Sequence, residues 1–71
     1  MTIIKDTFND INQQIKQAIT AKRVKLELRR AKKFIEEVSK NKFIFKTVKK
    51  YSISEFKKTQ KLAKIRIKQL N

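Results

Sequence analysis

The sequence predicts a small all-α fold: a basic helical hairpin or three-helix domain with long amphipathic helices. Three observations predict it. Apolar residues recur at steps of three and four along most of the chain. Gly and Pro, the strongest helix interrupters, are absent from all 71 positions. Leu, Ile, Val and Phe supply 22 of the 71 residues, well above the ~20 % below which disorder is the default reading. A chain of this length makes one domain with a small core. Residues 1–71 are therefore expected to form a single helical domain. Its parts are a near-neutral amphipathic helix at 1–20, a basic amphipathic helix at 21–40, a connector at 42–51 and a basic C-terminal helix at 52–70.

The first helix follows from Ile4, Phe8, Ile11, Ile15 and Ala18, whose steps of 4, 3, 4 and 3 place them on one face. Two starts are open. Thr7 and Asp10 have the spacing of a weak capping box. Alternatively the helix begins near Thr2, with Asp6 and Asp10 in its first turns, where the dipole favours acids.

Ala21, Val24, Leu28, Ala31, Ile35 and Val38 continue at steps of 3, 4, 3, 4 and 3. Between Ile15 and Val24 the register slips, because Ala18 and Ala21 give successive steps of three. One long helix changes face there, or the chain bends near Thr20. Residues 24–29 also alternate as a strand would. Helix is preferred because the 3–4 spacing runs on past Leu28 and Leu, Lys, Glu and Arg are good helix formers. Asn41 is the expected left-handed cap in a chain without Gly.

Residues 42–50 are ambiguous between a short helix and an extended connector. Phe43, Ile44, Phe45, Thr47 and Val48 favour strand, while Ile44, Val48 and Tyr51 are at helical spacing. The last helix is expected to start at Ser52, which with Glu55 forms S-x-x-E, flanked by Tyr51 and Phe56 as a hydrophobic staple. Its apolar line would be Ile53, Phe56, Gln60, Ala63, Ile67 and Leu70, with Leu62 and Ile65 pointing elsewhere toward a second contact surface.

The composition excludes most chemistry. With no Cys and no His, thiolate chemistry is absent and a zinc site would have only carboxylates. With no Gly, phosphate loops and dinucleotide fingerprints are excluded. Ser39, Ser52 and Ser54 have no His to activate them. Asp6, Asp10, Glu36 and Glu37 read as dipole partners and surface acids rather than as catalytic carboxylates. A non-enzymatic protein without cofactor or metal is expected. The first residues lack the pattern of a signal peptide, and no apolar run exceeds three residues. The expected location is the cytoplasm or an organelle matrix, neither secreted nor transmembrane.

The charge points to a partner. Lys and Arg number 20 against 6 Asp and Glu, a net charge of +14. Residues 1–20 are net neutral, so all of the excess lies in residues 21–71. An ordinary solvated helix face mixes both signs, whereas single-sign faces suit polyanions. The candidate nucleic-acid-binding residues are Lys22, Arg23, Lys25, Arg29, Arg30, Lys32 and Lys33 on the second helix. Lys42, Lys46, Lys49 and Lys50 join them from the connector. Lys57, Lys61, Lys64 and Lys68 form a stripe along the last helix. Phe43, Phe45 and Tyr51 among these lysines have the texture of a single-strand site, but core packing is the preferred reading of all three.

Size, charge and helical content are similar to those of small basic ribosomal proteins as a class, a similarity that transfers no residue. A helix-turn-helix or ribbon-helix-helix DNA binder would be equally small, although the missing Gly and the lack of a clear N-terminal strand count against both. The leading expectation is an RNA-binding ribosomal or ribonucleoprotein component that contacts the phosphate backbone, with residues 4–18 facing protein neighbours or the rest of the chain. The first alternative is a small DNA-binding protein of a phage, plasmid or bacterial chromosome. The second is a helical structural or accessory subunit that meets acidic proteins or an anionic membrane surface. That class ranks behind because the apolar faces carry no Trp and few Leu.

Overall fold

The computed structural model describes residues 2–70, which form three α-helices and no strand. They are α1 (Thr2–Gln17), α2 (Ala21–Lys40) and α3 (Lys46–Leu70). Contacts fix the directions. Phe8 meets Phe34 and Asp10 meets Arg30, so α2 runs antiparallel to α1. Asn12 meets Thr59 and Ala18 meets Arg66, so α3 runs parallel to α1. The result is a rod of 41 × 16 × 15 Å.

The apolar face of α1 is buried as its spacing requires: Ile4, Phe8, Ile11, Ile15 and Ala18 all lie in the core. The helix starts at the earlier of the two sites. Thr7 lies inside it and donates its hydroxyl to the Ile3 carbonyl at 2.8 Å, so the Thr7–Asp10 capping box does not form. Asp6 and Asp10 fall beyond the first turn, which contains no acid.

The slip in register marks a real break. The chain leaves the helix after Gln17, and Thr20 caps α2 with its side chain accepting from the Arg23 N–H at 3.2 Å. The Ala18 carbonyl, one residue past α1, accepts from the Arg66 guanidinium at 2.7 Å, so a cation from α3 closes this helix end. Residues 24–29 are helical rather than a strand. Asn41 ends α2 in extended backbone (φ −76°, ψ 114°), not left-handed. Its side chain instead accepts from the Phe43 N–H at 2.9 Å, a local turn that needs no Gly.

The largest departure is α3. It begins at Lys46, six residues before the capping signal at Ser52 and Glu55, and the connector shrinks to residues 41–45. Ser52 sits inside the helix, 1 % exposed, and donates to the Val48 carbonyl at 2.9 Å. The hydroxyl that suggested a cap satisfies itself against the preceding turn, which leaves it free to be buried. The buried line of α3 therefore follows small residues, Ser52, Thr59 and Ala63. Phe56 and Ile67 flank it on one side and Tyr51 and Leu62 on the other, all packed against the core. Leu62 belongs to this core edge, while Gln60 and Ile53 face water. Phe56 is only half-buried.

Thr59 is fully buried and donates to the Asn12 side chain at 2.7 Å, which locks the register of α3 on α1. Asn12→Ala would strand that hydroxyl and should cost about 1–3 kcal/mol. Asn12→Leu together with Thr59→Val should be nearly neutral, because neither polar group is then left unpaired. Urea midpoints at unchanged m-value check both outcomes.

Candidate nucleic-acid interface

The two flanks of α2 differ. On the flank toward α1, Glu27 is buried and holds Arg23 at 3.4 Å and Arg30 at 3.1 Å. Arg30 also reaches Asp10 at 2.8 Å. The Asp10 hydrogen bond is the main influence raising the Arg30 pKa, with burial working the other way. Both arginines are thus committed to carboxylates, and their charge is matched within the fold.

The other flank turns toward α3. At 100° per residue, Lys25 and Lys32 lie beside Leu28, away from Phe34 and α1, with Lys22 and Arg29 further round, while Lys33 lies beyond them on the side of Arg30 and Thr7. The four lysines and Arg29 are exposed. On α3, Lys57, Lys61, Lys64 and Lys68 are exposed along one line, as their spacing requires. Because α3 starts early, Lys46 and Lys50 fall on the same face. The stripe therefore runs from Lys46 to Lys68, ~33 Å at 1.5 Å per residue. The helix boundary lengthened it, and the boundary was hidden by the Ser52–Glu55 pattern.

Lys49 is different. It is half-buried and donates to the Ser39 carbonyl at 3.3 Å, which ties α3 to the C-terminal end of α2. This antiparallel anchor sets Lys32 level with Lys57 and Lys25 level with Lys64. Two lines of lysine thus flank the α2–α3 seam. Glu36, at the end near the 41–45 loop, is the acid on the α2 flank, and the α3 face carries none, Glu55 lying on the side toward α1. Among the described residues, ion pairs engage Arg23, Arg30 and Lys58 but none of the seam lysines. Like charges in this arrangement repel, and an anion placed between them relieves the repulsion.

The connector aromatics do not fill the core. Phe43 is 94 % and Phe45 78 % exposed; Tyr51 alone of the three packs against the core. No cluster of acidic side chains able to hold a metal occurs among the described residues. Among the described residues no helix is long and apolar enough to cross a membrane. No protein-family model, curated protein or solved structure matches the chain.

Proposed function

We propose that this protein is a non-enzymatic nucleic-acid-binding protein that grips the phosphate backbone, with structured RNA in a ribonucleoprotein as its partner. The observation that carries the reading is the α2–α3 seam. Lys25 and Lys32 lie on its α2 side and Lys57 and Lys64 on its α3 side, and the α3 stripe extends the positive surface along most of the rod. Phosphates bound there release counterions, which supplies affinity without base readout. The opposite side of the molecule, α1, is net neutral and suits a protein neighbour. Arg23, Arg30 and Lys49 act within the fold and are not part of the grip.

The chain offers a simple test. It has no Trp and one Tyr, so it absorbs little at 280 nm. Protein isolated at low salt should carry a nucleic-acid absorbance maximum near 260 nm. Ribonuclease or washing at about 1 M salt, where the Debye length is ~3 Å, should remove it. Protein that isolates free of nucleic acid at low salt contradicts the proposal, and absorbance that resists ribonuclease but yields to deoxyribonuclease assigns the partner as DNA.

A further inference from the structure

The loop between α2 and α3 spends its aromatic residues on water. Phe43 and Phe45 are exposed at the tip of the rod, although a core this small has room for large side chains only where the fold directs them inward. The loop is ordered by its own bonds: the Asn41 side chain accepts from the Phe43 N–H at 2.9 Å, and the Phe45 carbonyl accepts from Val48 and Lys49 at 3.1 Å each. The rings are thus presented by a turn of defined shape. Behind Phe45 opens a mostly apolar cleft of about 450 Å³, lined by Phe34, Val38, Ile44 and Val48 together with Glu37 and Asn41. Lys42 and Lys46 bracket the two rings, both exposed.

We infer that this tip stacks unpaired nucleobases of the same RNA whose backbone lies along the lysine stripe. The inference rests on the proposed backbone grip and adds a second kind of contact to it. Three features favour a base over other apolar occupants. Every base has a π-face that a Phe ring can stack on, whatever the sequence. The tip is continuous with the stripe, since Lys46 is at once the residue after Phe45 and the first lysine of the α3 face. A strand whose phosphates follow Lys68 to Lys46 therefore delivers its next nucleotide to Phe45 and Phe43. Geometry disfavours a bilayer. A flat anionic surface engaging the tip end-on leaves Lys57 to Lys68, ~16–33 Å from the tip, about two to four Debye lengths away at ~8 Å each. A flexible strand can follow the side and turn onto the tip.

The test uses the full chain with Phe43→Trp, which introduces the only Trp and hence a selective fluorophore. Three RNA probes are compared: a blunt hairpin, the same hairpin with a single-stranded tail of about 6 nucleotides, within the span such sites cover, and that tailed hairpin with the tail bases removed. Stacking predicts Trp quenching by the tailed hairpin alone. It also predicts tighter binding of the tailed over the base-less tailed probe, on the order of 5- to 150-fold for each stacked base. Phe43→Ala with Phe45→Ala should erase that difference while leaving blunt-hairpin binding and helical circular dichroism unchanged, since both rings are already in water. Equal affinity for the tailed probes with and without bases overturns the stacking site and leaves the backbone grip standing. A blue-shifted Trp on phosphatidylglycerol vesicles with no response to the tailed hairpin overturns it in favour of lipid. Failure of all three RNAs to bind overturns the backbone grip and this inference together.

Discussion

Phe8→Ala should unfold this protein at 25 °C in low salt. Phe8 is 1 % exposed and meets Phe34 edge-to-face, with ring centres 5.6 Å apart at 79°. Truncating a buried Phe costs about 3–5 kcal/mol, which here includes a ring pair worth ~0.5–1.5 kcal/mol. Domains have only about 5–15 kcal/mol in total, and one this small and this charged lies at the low end. Far-ultraviolet circular dichroism should lose its helical signal and regain part of it in sulfate, which screens repulsion and strengthens apolar burial. Phe56→Ala should cost clearly less, because Phe56 is only half-buried. A Phe8→Ala protein that melts within a few degrees of the parent would show that the Phe8–Phe34 contact is not the centre of the core.

Replacing Lys57, Lys61, Lys64 and Lys68 together by Gln should separate binding from folding. Lys and Gln have similar helix propensity, so α3 should persist. All four side chains are exposed, and none is in an ion pair among the described residues. Four positive charges leave a molecule of +14, and self-repulsion falls. Thermal stability should therefore hold or rise while affinity for RNA falls about equally for all sequences. A variant that binds as tightly as the parent would make the stripe ordinary surface and move the grip to α2 or the 41–45 loop.

The fold class and the face of α1 were legible in the sequence because large apolar residues carry their own period, and the burial of Ile4, Phe8, Ile11 and Ile15 follows it. A slip of one step marked the place of the break near Thr20, but the slip alone left a face change within one long helix equally open. The start of α3 was not. Ser52 and Glu55 have the spacing of a cap, but a serine hydroxyl can also bond to the carbonyl four residues back, and sequence alone does not choose between them. The expected apolar line of α3 held at Ala63, with Phe56, Ile67 and Leu70 packed against the core, but it missed the buried Ser52 and Thr59. Starting the steps of three and four at Ile53 carried the expected line through Gln60, and both residues face water. The lysine spacing survived because Lys57 to Lys68 lie within the helix under either start. What the sequence could not show was which basic residues are already occupied. Glu27 lies one turn from both Arg23 and Arg30 on α2, a pairing their spacing allowed, but only the packing of α1 on α2 brings Asp10 to Arg30. The exposure of Phe43 and Phe45 was hidden for a related reason: a large aromatic in a chain short of them reads as core until the loop that carries it is seen.

The salt dependence of RNA binding tests the phosphate grip most directly. Equilibrium affinity for one hairpin, measured from about 50 to 300 mM salt, gives the slope of log K against log salt, which counts the phosphates neutralised. Lysines on two helices making about 5–8 phosphate contacts predict a slope near −4 to −7. The four-Gln variant should be shallower by up to ~4 units, one for each Lys that meets a phosphate. A parent slope near zero, or the same slope in parent and variant, would contradict a grip made by these lysines.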